Sequence, residues 1–155
     1  MSIVYGPVGA VVGEIRGVEV RLAAVSAGAG GLHVVLRGTS SPETERMDAE
    51  FEAQLSRWGE LLTRRGTAVA GEPPPMPGTC LSVFDVRPTG AGDSQYKFIE
   101  RAVAGSGTDW DDWWSFGCSG PPVAHLEIAV SRRDRPGVVR CEVSVQSDER
   151  AILDS

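Results

Sequence analysis

The sequence predicts a mainly β protein, an antiparallel immunoglobulin-like β-sandwich with one inserted amphipathic helix, and three observations carry that expectation. Apolar residues alternate with polar ones in seven or eight short runs separated by Gly, Pro, Asp and Ser clusters, the pattern of strands that each cover one face of a core. Only one long segment shows helical periodicity. The crossover helices that a parallel sheet requires are missing. An α+β fold, one antiparallel sheet covered by one helix, is the alternative. The chain of 155 residues suits one hydrophobic core, so it reads as a single β-rich domain over 1–155, with a helical insertion at 40–66 and a Pro-rich connector at 67–79.

A first short strand is expected around residues 9–15. In VEVRLAAV, Val18, Val20, Leu22 and Ala24 share a face, and LHVVLRG repeats the pattern with Leu32, Val34 and Leu36. Residues 18–37 therefore read as an antiparallel hairpin joined by the glycine-rich SAGAGG. The period then changes. Met47, Phe51, Leu55, Trp58 and Leu62 recur at steps of 4, 4, 3 and 4, one stripe of a helix over 42–65. Ser41 before Pro42 can cap it, or Ser40 with Glu43 as a capping box, and Arg64, Arg65 and Gly66 suit its end. This helix is expected to lie over the outward sheet face near Trp113.

TAVAGEPPPMPG lacks the backbone donors that a helix or central strand needs, so it reads as an extended strap. CLSVFDV, apolar on both sides, is expected to be a central strand. SQYKFI, WWSFG, VAHLEIAV and VVRCEVSV follow as strands, and the charged SRRDRPG turns the last pair into a hairpin.

Composition excludes more than it assigns. A net charge of -6 argues against a phosphate-tracking surface, so no nucleic-acid partner is expected. Lys97 is the only lysine beside fourteen arginines, a mark of coding bias rather than function. No run reaches membrane-spanning length, and the first residues lack the basic start of a signal peptide, so cytoplasmic residence is expected. Three cysteines, an odd number, agree with a reducing compartment.

VFDVRPTGAGDSQYKFIE, AVAGSGTDWDDWWSFG and SGPPVAHLEIAV, together with the opening GVEVRLAAVSAGAGGLHVVLRG, resemble small actinobacterial β-sandwich proteins. The likeness spans about two thirds of the chain, and the helical insertion and the charged, Trp-doubled part of the AVAGSGTDWDDWWSFG loop depart from it. It implies a fold and transfers no role to any residue.

The stretch GTDWDDWWSFG holds three of the four tryptophans. If it is extended, Trp110, Asp112, Trp114 and Phe116 point one way while Asp111, Trp113 and Ser115 point the other. Trp114 and Phe116 read as core. Trp110 and Trp113, flanked by Asp109, Asp111 and Asp112 at a wet rim, form the candidate partner or ligand surface. The aspartates lack the spacing of an EF-hand, and neighbouring carboxylates on one strand diverge, which counts against a metal and against paired acid/base chemistry. Arg132, Arg133 and Arg135 make the one dense positive cluster, a candidate anion-binding turn. SAGAGG and VAGSG match no phosphate-binding loop, and His33 and His125 belong to no ligand motif. Cys118 and His125 permit a nucleophile and base in principle, without a motif to support them. No catalytic residue, metal or cofactor is assigned. The leading expectation is a non-enzymatic domain that binds a protein partner or associates with itself. The alternative is small-molecule or carbohydrate binding, with hydrolysis as an option, at the Trp/Asp loop 109–114.

Overall fold

Strands β1 (Ser2–Gly6) and β2 (Val11–Ile15) are two segments of one wall position, because both pair antiparallel with β3 (Val18–Gly28). In this computed structural model, which describes residues 2–29, 31–90, 95–104 and 109–146, β3 continues through a tight hairpin into β4 (Gly31–Gly38). β4 pairs with β7 (Trp110–Ser119), and β7 with β6 (Gln95–Ala104). On the opposite flank β1 pairs with β9 (Val138–Val145), β9 with β8 (His125–Arg132), and β8 with β5 (Phe84–Gly90). The wall therefore runs β5-β8-β9-β1-β3-β4-β7-β6, antiparallel throughout, and β5 and β6 meet at its two ends.

This is a nearly closed eight-stranded barrel, and it corrects the expected immunoglobulin-like sandwich and the single covered sheet alike. A sandwich needs two sheets that share no strand. Here β1 belongs to both flanks: Ile3 and Val4 pair with Ala27 and Ser26, and Tyr5 and Gly6 pair with Val145 and Ser144. Irregular register at three places helps the sheet to coil. It falls between Val11 and Gly13, between Leu22 and Ala24, and between Phe98 and Glu100. The second irregularity also changes which residues face inward: Val18, Val20 and Leu22 are buried, then Val25 and Ala27, while Ala24 is exposed. At Gly13 a Cβ would sit 2.7 Å from the Phe84 ring, so a side chain there would collide with the core.

The helix α1 runs from Pro42 to Arg65. Ser41 caps it: its Oγ accepts from the Thr44 N–H at 3.3 Å, and the Thr44 Oγ1 accepts from the Ser41 N–H at 2.8 Å. Its first half docks through Thr44, Met47, Asp48 and Phe51; in the second half Trp58 donates from Nε1 to the Gly71 carbonyl at 3.1 Å. The connector is not wholly extended, since Thr67–Ala70 forms a short helix α2. CLSV, expected to begin a central strand, instead lies in a 3-10 helix, Pro77–Val83, and β5 starts only at Phe84. Proline at the helix start provides the turn, and an apolar run on both sides fits a helical turn as well as a buried strand. Leu81 of this helix is fully buried.

Together α1 and the 3-10 helix pack at the barrel end where β4 finishes and β5 and β7 begin. The Trp110 indole N–H points to Asp48 Oδ1 of α1 at 3.4 Å. The helix therefore covers a barrel end and not the outer face near Trp113, which is 54% exposed. Among the described residues no helix is long and apolar enough to cross a membrane.

Phe51 is the buried aromatic residue of α1, beside the Pro-rich connector. Phe51→Ala is expected to destabilise the fold by about 3 kcal/mol in denaturant unfolding; a loss below about 0.5 kcal/mol, the range of surface substitutions, would show that α1 does not depend on this contact.

Candidate functional site

The inner face of β7 presents Trp110, Asp112, Trp114 and Phe116, all buried, while Trp113 faces out. Strand alternation alone produces this division. What β6 sets beside it depends on a bulge. Phe98 stands opposite Phe116 and Arg101 opposite Trp114, so the register shift after Phe98 brings both side chains to the inner face although three positions separate them.

Arg101 and Asp112 form the polar centre. Arg101 donates from Nε to Asp112 Oδ1 at 2.7 Å and from Nη2 to Oδ2 at 2.6 Å, and the Trp114 indole N–H reaches the same Oδ2 at 3.1 Å. Asp112 is fully enclosed, and the Arg101 side chain is 13% exposed. The arginine also donates to the Leu81 carbonyl at 2.8 Å and the Ser82 carbonyl at 3.2 Å, and its guanidinium stands 4.3 Å from the Trp114 ring centroid. Such a pair persists because every charged atom finds a partner.

No ladder joins β5 to β6 among the described residues. Where β5 ends and β6 begins they come close: a Cβ on Gly90 would lie 3.3 Å from the Tyr96 ring. At the other end Arg101 bridges to the 3-10 helix through its two carbonyl contacts. Between these closures the seam opens into a slot of about 520 Å³. Its floor is Trp114 and Phe116, stacked with centroids 6.1 Å apart and 8° between planes. Phe98 meets both edge-on, at 5.7 Å and 6.2 Å, and remains 54% exposed. Val86, Arg87 and Pro88 supply the β5 wall, and Arg133 reaches in from the β8–β9 turn. Pro88 suits an edge strand, where a missing backbone donor is tolerated.

Sequence-predicted site residues divide among three places. Trp110 is fully enclosed and Asp112 is the buried partner of Arg101, so neither stands at a wet rim. Trp113 alone of the pair is on the surface. Asp109 accepts the Ser40 N–H at 2.8 Å, tying the approach to β7 to the segment leading into α1, and Asp111 accepts from Arg37 Nε at 2.7 Å, a cross-strand pair of the β4–β7 ladder. Among the described residues no three His, Cys, Asp or Glu side chains are grouped to hold a metal. In the arginine turn, Arg132 forms a two-point pair with Asp134 at 2.9 Å for both contacts, donates to the Glu14 carbonyl, and lies over Phe84 at 5.1 Å. That pair holds the Asp134 carboxyl below its ordinary range. Arg135 stays exposed, and only Arg133 lines the slot. His33 is exposed beside Ser115 at 3.1 Å, and His125 is exposed. Cys118 points its thiol at the Gly120 carbonyl at 3.8 Å. Most of VAGSG lies outside the described residues.

Phe98, Arg101, Tyr96 and Arg87 are the slot residues that sequence reasoning missed. A strict period of two through QYKFIERAVA would turn Glu100 and Ala102 inward with Phe98. The apolar Val103, out of phase with Phe98, was the available sign of a bulge. Comparison with known proteins returns no matching family model, no matching curated protein and no matching solved structure. The resemblance to actinobacterial β-sandwich proteins is therefore unsupported, and the barrel overturns the fold it implied.

Two predictions follow from this geometry. Asp112→Ala leaves a largely buried guanidinium without its carboxylate, and a loss of about 3–5 kcal/mol is expected in equilibrium unfolding; replacing both partners by apolar residues should cost less than replacing one, and the reverse order would refute the pairing argument. The second concerns the chain's two tyrosines, Tyr5 and Tyr96. Burial pushes both phenols up, Tyr96 to about 12 from 10.0. Folding thus favours protonated Tyr96, a contribution fully present below pH 10.0 and lost as pH rises towards about 12. Phenolate absorbance should show no full tyrosine step at pH 10.0 in the folded protein, and Tyr96→Phe should shift alkaline unfolding to higher pH.

Proposed function

We propose that this chain binds a small, flat, mainly apolar molecule in the slot between β5 and β6. The observation that carries the reading is an opening of about 520 Å³ in the barrel seam with a stacked Trp114–Phe116 floor and a half-exposed Phe98 beside it. Ligand sites are concave, are mostly apolar and bring a few polar groups to converge on the occupant, and small barrels commonly hold one ligand within the wall. The expected Trp/Asp site thus moves from loop 109–114 to the inner face of the same strand. Planar rings or the apolar face of a sugar would lie against the half-exposed Phe98, which Trp114 and Phe116 back from below. Hydrolysis is not part of the proposal, because Asp112 is occupied by Arg101 and by the Trp114 indole.

N-phenylnaphthylamine, an uncharged aromatic probe, tests the reading. Its emission should rise on addition of the protein and tryptophan emission should fall in step, because Trp114 forms the floor. Phe98→Ala is expected to weaken binding about tenfold, the scale of one lost aromatic contact, whereas Trp113→Ser on the outer face should leave it within about twofold. Saturable binding that ignores Phe98, or no binding at all, would overturn the proposal.

A second reading, self-association or docking of a protein partner, rests on the outer face. Trp113 is 54% exposed there, in register with Val35 and Ala102, and exposed aromatics are common association anchors. Sedimentation over a range of concentrations, with Trp113→Ser alongside, separates this reading from slot binding.

A further inference from the structure

We infer that the slot selects a ligand carrying an anionic group, held at the mouth by Arg87 and Arg133. The inference rests on the slot-binding reading and adds the chemistry of the ligand's polar end. Three arginines and one aspartate line the slot, in a protein whose net charge is -6. The three cations are not equivalent. Arg101 has its donors committed to Asp112 and to the Leu81 and Ser82 carbonyls, so it orients the floor and has little left for a ligand. Arg87 stands on β5 with its side chain 81% exposed and only a loose contact to Asp85 at 3.7 Å. Arg133 makes no side-chain hydrogen bond or ion pair among the described residues.

Arg133 is nevertheless well placed. Its backbone N–H donates to the Val83 carbonyl at 2.9 Å, immediately before β5, and the preceding Arg132 fastens the same turn to Asp134 and to the Glu14 carbonyl. The turn that carries Arg133 is therefore tied both to β2 and to the residue before β5. A planar guanidinium fork matches the oxygens of a carboxylate, sulfonate or phosphate. An apolar floor beneath a cationic mouth fits an aromatic acid better than a neutral ring or a free inorganic anion, because each half of such a ligand meets its own complement.

The 155-residue chain is titrated with anilinonaphthalene sulfonate and with N-phenylnaphthylamine, which share a ring system and differ in the anionic group. The sulfonate is expected to bind about tenfold more tightly, and inorganic sulfate alone should not displace the neutral probe. In the double variant Arg87→Gln/Arg133→Gln, sulfonate affinity should fall about tenfold while neutral-probe affinity stays within about twofold. Phe98→Ala should weaken both probes, which locates them in the slot, and near-ultraviolet circular dichroism checks that each variant keeps its native packing. Equal affinities for the two probes, or a sulfonate affinity that ignores the double substitution, would overturn this inference and leave slot binding standing. Failure of both probes to bind would instead remove the slot-binding reading, and this inference with it.

Discussion

The pair formed by Arg101 and Asp112 organises the barrel where its backbone ladder stops. Between β5 and β6 the main-chain hydrogen bonds that join every other neighbouring strand are absent among the described residues, and one side chain takes over part of their role. Arg101 belongs to β6, reaches the 3-10 helix just before β5 through two carbonyls, and is held by a carboxylate from β7. A charge in that position is tolerable only because Asp112 neutralises it and the surrounding donors and acceptors are matched. The same arginine lies over Trp114, so the contact that closes the seam also sets the ring that floors the slot.

Closure and opening are thus two aspects of one arrangement. Where Arg101 and the Gly90–Tyr96 approach draw the seam together, the wall is complete; between them, Phe98 is left half-exposed beside the buried Trp114 and Phe116 rings. A fully zipped ladder would have buried Phe98 as it buries its partner Phe116. The 3-10 helix contributes by offering carbonyls that a strand would have spent on pairing, and α1 seals the adjacent barrel end by docking its first half while leaving its second half to pack on its own connector.

Charge follows the same division. The carboxylates of the DWDD stretch serve the architecture: Asp109 holds the segment before α1, Asp111 pairs with Arg37 of β4, and Asp112 holds Arg101. Arg132 is likewise spent on its own turn. The positive charge left over at Arg87 and Arg133 lies at the slot mouth, where it can meet a ligand without first leaving a strong partner.

Local pattern made much of this legible. The stripe from Met47 to Leu62 and Ser41 with Pro42 marked α1 and its cap, and strict alternation put Trp110, Asp112, Trp114 and Phe116 on one side of β7, although it read only Trp114 and Phe116 as core. These features depend on neighbours a few positions apart, so the sequence by itself determined them. Barrel rather than sandwich, the seam between β5 and β6, and the union of Phe98, Arg101 and Arg133 around the slot were decided only by the tertiary structure. The physical reason is that alternation says which residues share a face and not which strand lies alongside. That choice rests on β1 pairing with both flanks, on a single bulged residue that reverses the phase of β6, and on side-chain bonds between segments far apart in the chain.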